Sequence, residues 1–192
     1  MSVKMNEYSE DLKKIIYQNK LLMDILKKIH EIEPTAYLCA GVIRNTIWAY
    51  LHDQTFALKQ TEIDVIFYDA EDVNAVHEKR IEQQLIALYP EIEWDITNQA
   101  FVHEWYKPDD GSVMSQLKSI DEALSLWPET ATAIAVRLNA EQEIEYIAPF
   151  GLIDLFELKL RWNKALVSHE GFMKRLEQKQ FLKKWSKLKL IQ

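Results

Sequence analysis

Apolar residues recur at intervals of three and four in the N-terminal part of the chain, after Ser9. This is the spacing of one face of an α-helix, and serine often caps the start of a helix. The pattern therefore predicts an amphipathic helix over 9–30, and Pro34 prevents its continuation. The positions that define it are Leu12, Ile15, Ile16, Leu22, Met23, Leu26 and Ile29.

In the middle of the chain, predicted strands and helices alternate. Short apolar runs and period-two alternation indicate strands, whereas a period near 3.6 indicates helices. Pro90 ends the second of these helices. The predicted elements are a strand at 36–40, a helix at 42–51, a strand at 62–68, a helix at 73–89 and a strand at 91–97.

Turn and capping signals organise the rest of the chain. They separate a loop, which is an ordinary connector or the rim of an active site, from further regular elements. The predicted features are that loop at 106–115, a short helix from the capping box Ser119–Glu122 to about Trp127, a hairpin of strands 132–138 and 143–147, and a mainly helical region from Gly151.

The composition is that of an ordinary globular protein. The chain has 192 residues, of which 48% are hydrophobic and 28% charged, and its 4 glycines and 5 prolines leave no room for a long flexible linker. We expect one α/β domain over 1–192, with an N-terminal helix in 1–33 and a helical C-terminal extension in 152–192. The net charge of −7 argues against a surface built as a whole for nucleic acid.

The only cysteine, Cys39, excludes an internal disulfide and a cysteine-based zinc cluster, and it fits a reducing compartment. Residues 1–7 lack the apolar core of a signal peptide, and no apolar run is long enough to span a bilayer. We therefore expect a cytoplasmic protein with no membrane partner.

Acidic residues lie on the polar faces of two predicted strands. Side chains alternate along a strand, so Glu62 and Asp64 project from the same side, roughly 6 to 7 Å apart. On the next strand Asp95 is a third candidate acid, although Glu93 shares its face. Carboxylates hold Mg²⁺ and leave positions for phosphate oxygens. The acids thus point to phosphoryl chemistry, whereas taken alone they also fit a solvated strand face.

Gly41 lies between the first predicted strand and the helix that follows. A glycine there lets the backbone approach an anion closely, and the N–H groups of the helix start point at that anion. Taken alone, it is equally typical of an ordinary turn. Together with the acids in the same α/β unit, it predicts a phosphate cradle beside a metal-binding edge.

A set of short motifs follows the first predicted helix: Ala40-Gly41-Val42-Ile43-Arg44-Asn45, Trp48, Leu51-His52, Glu62-Ile63-Asp64-Val65, Trp94, Asn98-Gln99, His103, Trp127-Pro128-Glu129-Thr130 and Ala148-Pro149-Phe150-Gly151-Leu152. The set resembles a bacterial nucleotidyltransferase-like family within the polymerase-β-like nucleotidyltransferase superfamily. Its opening also looks like the Gly-Gly-x-Val-Arg-Asp motif of tRNA CCA-adding enzymes.

The resemblance implies a nucleotidyltransferase-like fold, with a small mixed sheet flanked by helices. It also implies transfer of a nucleotidyl group from a nucleoside triphosphate to an acceptor hydroxyl that the sequence does not identify. Mg²⁺ would be held by Glu62, Asp64 and Asp95, which are the implied catalytic residues, and Asp95 would help to activate the hydroxyl. Nucleotide contacts are implied for Gly41, Val42, Arg44, Asn45 and Asn98.

Two positions depart from the superfamily pattern. Val42 stands where glycine or serine is usual, and Glu62 replaces an aspartate with a side chain one methylene longer. Two alternatives also stay open. Arg44 either neutralises phosphate charge or pairs with Glu62, and Asn98 either contacts a base or ribose or caps the strand end.

Other motifs have more ordinary readings. His52 and His103 match family positions, and a structural hydrogen-bonding role is expected for both. The tail from Lys174 to Lys189 is strongly basic, and its interleaved apolar residues predict an amphipathic helix with one face packed. Its lysines are expected to be solvated, and RNA contact is the less favoured alternative.

Two functions of different class follow from the sequence. One is a Mg²⁺-dependent nucleotidyltransferase. The other is a catalytically inactive nucleotide-binding or interaction module that retains the fold, to which the departures at Val42 and Glu62 lend weight.

Overall fold

The computed structural model of the protein describes residues 2–109 and 111–191. Helices surround a central sheet in this part of the chain. None of its helices combines the length and the apolar character that crossing a bilayer requires.

Two helices form the N-terminal region. Helix α1 spans Ser2–Gln18 and helix α2 spans Lys20–Ile32. Between them the side chain of Asn19 caps α2, since its Oδ1 accepts a hydrogen bond from the Leu22 N–H at 3.1 Å. The prediction of one continuous helix is wrong because this side chain competes with the helix for backbone groups.

A mixed sheet of five strands forms the centre of the fold. Its strands are β1 (Tyr37–Cys39), β2 (Glu62–Phe67), β3 (Glu93–Asn98), β4 (Ala135–Leu138) and β5 (Ile144–Ile147). They lie in the order β3-β2-β1-β4-β5, and β2 and β3 are parallel while the other pairs are antiparallel. The predicted mixed sheet and the predicted hairpin are confirmed.

Two helices connect the strands that carry the site. Helix α3 (Ala40–Leu51) starts directly after β1. Helix α4 (Val76–Leu88) lies between β2 and β3 and provides the long crossover that a parallel pair needs. The predicted strand, turn, helix and strand order is therefore present, with boundaries shifted by a few residues.

The two faces of the sheet pack against different cores. Ile63 and Val65 of β2 belong to the large core, which also contains residues of α1 to α4. Ile66 points to the opposite face and joins a smaller core with Leu124 of helix α6 (Ile120–Ser125). The acidic positions of β2 alternate with the large-core residues, so they share their face with the smaller core.

An irregular segment between β3 and β4 covers part of this second face. It contains helix α5 (Val102–Trp105), an extended loop and α6. The predicted capping box is confirmed, because Ser119 Oγ accepts from the Glu122 N–H at 3.1 Å and Glu122 Oε2 accepts from the Lys118 N–H at 2.7 Å.

The C-terminal region is less helical than predicted. Two of its elements, β6 and β7, form a parallel two-stranded sheet. A short apolar run in a charged segment does not distinguish an edge strand from a helix, which is why periodicity missed them. The elements are α7 (Ile153–Phe156), β6 (Lys159–Arg161), α8 (His169–Lys179), α9 (Phe181–Lys184) and β7 (Lys189–Ile191).

Aromatic residues anchor the basic tail to the large core. Phe172, Phe181 and Trp185 are almost completely buried there. The ring of Trp185 packs edge-on against Trp48 of α3, with centroids 6.3 Å apart. Gln180 adopts a left-handed backbone, φ 50°, that ends α8 and redirects the chain into α9. The tail is therefore part of the packed fold.

This packing predicts that Trp185→Ala lowers the free energy of unfolding by about 3–5 kcal/mol, because the substitution empties a large buried volume. Leu182 is 45% exposed in the same segment, so Leu182→Ala is the matched control and is expected to cost less than about 1 kcal/mol. Urea unfolding measures both. Equal, small effects would show that the tail is not packed as described.

Candidate functional site

The parallel pairing of β2 and β3 brings two acids together. Asp64 lies directly opposite Asp95, and Glu62 lies directly opposite Glu93. Residues opposed in this way on adjacent strands have backbones about 5 Å apart and side chains on the same face. Asp64 is half-buried, and the other three acids are exposed. The register thus selects Asp95, rather than Glu93, as the partner of Asp64.

The Asp64 carboxylate lies in an unfavourable electrostatic environment. Burial first, and then the negative charges of Asp95 and Glu62, raise the pKa of Asp64 to about 6. The backbone N–H of Gly41 and the charge of Arg44 act in the opposite direction. A carboxylate in this environment gains from a nearby cation when it is ionised.

Gly41 provides space at the start of α3. Its φ is not positive; the left-handed residue of this turn is Ala40, with φ 53°. A Cβ on Gly41 would lie 3.8 Å from Arg44 Nη2 and 3.9 Å from Asp64 Oδ2, which is ordinary contact. Gly41 therefore leaves room above a cation and a carboxylate, and the turn itself does not depend on its conformational freedom.

A polar cavity of about 460 Å³ opens beside these residues. On one side it is lined by residues of the sheet and α3, among them Gly41, Asn45, Glu62 and Asp64. On the other side it is lined by the basic tail. Its lining contains four cations, Arg44, Arg175, Lys179 and Lys184, against two carboxylates.

Arg44 is a buried cation at the base of the polar cavity. Its Nη1 donates to Thr132 Oγ1 at 2.8 Å, and its Nε and Nη2 donate to Asn45 Oδ1 at 3.3 and 3.2 Å. Its guanidinium lies 5.1 Å from the Trp48 ring centroid and 4.5 Å from that of Phe181. Burial is the main cause that lowers its pKa to about 10.

The predicted alternative of an Arg44–Glu62 pair is absent. The hydrogen bonds of Arg44 go to neutral oxygens, and within the described parts of the chain no carboxylate lies at ion-pair distance from it. A buried cation without a direct counter-charge favours an anion in the adjoining space.

Arg175 reaches the site from α8 through a buried ion pair. Its Nε donates to Glu129 Oε1 at 2.5 Å, and the Glu129 side chain is fully buried. Lys179 and Lys184 are exposed at the cavity rim. Lys179 and Lys184 are thus exposed, as the sequence predicts for the lysines of the tail, whereas Arg175 is half-buried and paired. The sequence contains one signal for the buried partner of Arg175: Glu129 belongs to a motif that contributes to the family resemblance.

Trp185 also lines the polar cavity with a potential donor. Its Nε1 is buried and finds no acceptor within residues 2–109 and 111–191. Lys184 lies beside the same ring, at 5.2 Å from its centroid. Burial and the charge of Arg44 lower the pKa of Lys184, so these groups form one electropositive region.

The side chains of two residues with implied nucleotide contacts, Asn98 and Val42, have structural partners. Asn98 Oδ1 accepts from the N–H groups of Asp69 and Ala100, both at 3.1 Å, and Nδ2 donates to the Asp69 carbonyl at 2.8 Å. It is the strand cap that the sequence left as an alternative. The side chain of Val42 is fully buried in the large core and does not line the polar cavity.

His52 has the structural role that the sequence predicts. Its Nδ1 is 2.7 Å from the Trp48 carbonyl, and its Nε2 accepts from the Lys187 N–H at 3.1 Å. It therefore ties α3 to the tail. The Nδ1 of His103 is buried and has no hydrogen-bond partner among the residues that the structure describes.

A second, apolar cavity of about 280 Å³ lies on the other side of Asp64. Asp95 lines the apolar cavity but not the polar one, whereas Glu62 lines the polar cavity but not the apolar one. Asp64, Ala40, Thr132 and Arg175 line both. The carboxylate with the raised pKa therefore stands where the two cavities meet.

The donor set fits a metal that is completed by a substrate. Groups of three or more His, Cys, Asp or Glu able to hold an ion do not occur in the described ranges. Mg²⁺, however, is commonly bound by one or two carboxylates together with phosphate oxygens and water. The facing pair Asp64 and Asp95 provides those carboxylates, and Glu62 is at the edge of the polar cavity.

Known proteins share this fold. The model of a nucleotidyltransferase family matches residues 29–190. A solved NMR structure, described as revealing a CCA-adding enzyme head domain, is 29% identical, with a TM-score of 0.79 over 95% of this chain and 95% of its own.

More distant structures are whole enzymes. A Thermotoga maritima CCA-adding enzyme complexed with tRNA is 12% identical, with a TM-score of 0.57 over 94% of this chain and 42% of that chain. A CCA-adding enzyme complexed with CTP is 12% identical, with a TM-score of 0.60 over 94% and 43%. This chain thus spans less than half the length of these enzymes. No curated protein gives a significant match.

The environment of Asp64 predicts that Asp64→Asn stabilises the protein near neutral pH. The unfolded chain loses this proton near pH 3.8, whereas the folded protein keeps it to about pH 6. Stability is therefore lost as pH rises between these values. Allowing for solvent screening, the variant should gain about 1–2 kcal/mol near pH 7 and almost nothing near pH 3.5. Urea unfolding at the two pH values measures this, and equal stabilities near pH 7 would contradict it.

Proposed function

Because this chain belongs to the nucleotidyltransferase family, we propose that it transfers a nucleotidyl group from a nucleoside triphosphate to an acceptor hydroxyl, with Mg²⁺ as cofactor. The observation that carries the proposal is Arg44, a buried cation with no carboxylate at ion-pair distance among the described residues, in a cavity that it shares with Asp64. Family membership supports nucleotidyl transfer in general. The geometry of the site supports a nucleoside triphosphate as the donor and Mg²⁺ as the cofactor.

The triphosphate is assigned to the polar cavity. A triphosphate carries several negative charges, and the excess of cations in this lining neutralises part of them. Arg44 has a rigid, forked guanidinium held by Thr132 and Asn45, so it is oriented before the ligand arrives. Lys179 and Lys184 at the rim supply charge with more freedom of position.

The tail therefore takes part in nucleotide binding. Arg175 is held in place by Glu129, and the buried Nε1–H of Trp185 is a donor that has no acceptor among the described residues. A phosphate oxygen in the cavity would supply that acceptor after a small adjustment of the ring. A triphosphate in this cavity would be enclosed on one side by the tail. Because solvent would then have less access to the phosphates, their electrostatic contacts with the tail would be stronger.

The acids have separate tasks in the proposed reaction. The acceptor oxygen forms a bond to the α-phosphorus while the bond to the bridging oxygen of the leaving pyrophosphate breaks. Asp95, exposed and facing the acceptor side, receives the hydroxyl proton. Asp64 stands between the two cavities, where bound Mg²⁺ would supply charge neutralisation and a lower pKa of the attacking hydroxyl. Glu62 adds negative charge near this position.

The alternative of an inactive nucleotide-binding module is favoured by one observation. The described residues contain no cluster of three metal-binding side chains, and under this alternative Glu62 would not serve as the third metal ligand that the resemblance implies. Both functions predict triphosphate binding, and pyrophosphate release distinguishes them. We retain a cytoplasmic location as a prediction, in keeping with the single, buried Cys39.

Catalysis predicts that the wild type releases pyrophosphate in the presence of Mg²⁺ and a panel of acceptor alcohols. Asp64→Asn should reduce this release by roughly 100-fold or more. Since the same variant is predicted to be more stable near pH 7, unfolding would not explain the loss. Glu93→Gln is the matched control, because Glu93 is on the same face but lines neither cavity. No pyrophosphate with any acceptor, despite triphosphate binding, would favour the inactive module.

The basic rim predicts that Lys179→Gln and Lys184→Gln each weaken triphosphate binding about two- to fivefold, since each removes one partly screened charge. Lys183→Gln removes the same charge from α9 at a position outside both cavities, so its affinity should equal that of the wild type. Calorimetric titration with a nonhydrolysable triphosphate measures the three constants. Identical losses in all three variants would indicate a general charge effect and contradict the assigned cavity.

A further inference from the structure

The apolar cavity lies where an acceptor has to approach. In-line displacement needs the attacking oxygen on the side of the α-phosphate opposite to the leaving pyrophosphate. With the phosphates in the polar cavity, that side is the apolar cavity, since the two spaces meet at Asp64. Asp95, the proposed proton acceptor, faces the apolar cavity only.

The walls of this cavity suit a flat, apolar molecule. Three aromatic residues, Trp105, Tyr106 and Trp127, contribute to its lining. Trp105 is 62% exposed, so its ring is accessible to a ligand in the cavity. Its ring packs edge-on against Tyr106 with centroids 6.3 Å apart. Such rings bind planar groups by stacking and by excluding water.

A small packed cluster holds the walls in place. Val102, Met114, Leu117 and Ala123 form a core of their own, against which Tyr106 and Leu126 pack. All of them belong to the segment between β3 and β4, so this segment has a packed interior and a defined shape. Two neutral polar side chains, Thr97 and Gln99, complete the lining close to Asp95.

The charge and size of the cavity argue against nucleic acid as the acceptor. Binding a nucleic acid strand requires cations spaced along its phosphates. Among the described residues that line the cavity, Arg175 is the one cation, and Glu129 already pairs with it. The volume of about 280 Å³ accommodates a single ring system with a short substituent.

We propose that the apolar cavity is the acceptor site, and that the acceptor is a small molecule with a planar apolar body and an alcohol group directed at Asp95. This proposal rests on the proposed function, because it takes the polar cavity as the donor site. The phenol of Tyr106, which also lines the cavity, is a hydrogen-bond donor and acceptor available to such a molecule.

The test uses two probes, indole-3-ethanol as the planar alcohol and a single-stranded RNA decamer. Their affinities for the full chain are measured by NMR titration without nucleotide. The planar alcohol should bind the wild type, and Trp105→Ala should weaken it about tenfold or more through lost stacking. The matched control is Val113→Ala, because Val113 is 93% exposed in the same segment and lines neither cavity. Its affinity should be unchanged.

Each other outcome has a definite reading. Failure of the planar alcohol to bind, or binding that Trp105→Ala leaves unchanged, overturns the acceptor site. RNA binding that is lost in Trp105→Ala and displaced by the alcohol overturns the small-molecule class. Triphosphate binding is measured separately in the same three proteins and should be equal in all. Absence of triphosphate binding by the wild type would contradict the proposed function. The alcohol titration would still show whether the apolar cavity binds a planar alcohol, because it is measured without nucleotide.

Discussion

The parallel pairing of β2 with β3 is the constraint on which the site depends. It sets Asp64 opposite Asp95, and helix α4 provides the crossover that makes the pairing possible. The alternating Ile63 and Val65 in the large core hold the register, because a one-residue slip would move both to the opposite face of the sheet and Asp64 into the large core. The register therefore places two carboxylates side by side. Burial of Asp64, together with the negative charges of Asp95 and Glu62, leaves the free protein less stable near neutral pH than it would be with Asp64 uncharged.

The site is built at the junction of two unlike spaces. One is polar and carries an excess of cations, and the other is lined by aromatic and aliphatic side chains. Asp64 belongs to both, so donor phosphates and an acceptor alcohol can meet at one carboxylate. The basic tail completes the polar space from the far end of the chain. Because Trp185 anchors that tail in the core, the same segment contributes to stability and to the proposed nucleotide site.

Much of the fold could be predicted from the sequence, because period-two alternation and capping signals are local. The same local alternation predicts that the acids of β2 and β3 lie on the polar faces of their strands. The family resemblance implies Asp95, but its choice over Glu93 could not be predicted from the strand pattern, since it depends on pairing between distant segments. Nor could the role of Arg175: a basic helix has the same pattern whether its charges face solvent or a cavity. The turn before α3 shows a further limit, because Ala40 rather than Gly41 adopts the left-handed backbone.

The most direct test of the account is the affinity of the wild type for a nonhydrolysable nucleoside triphosphate, measured calorimetrically with and without Mg²⁺. In the proposed site, Asp64, Asp95 and the phosphates bind the ion together. Mg²⁺ should therefore tighten triphosphate binding by about tenfold or more. Equal affinities with and without Mg²⁺, or no binding of any of the four triphosphates, would contradict the proposed site.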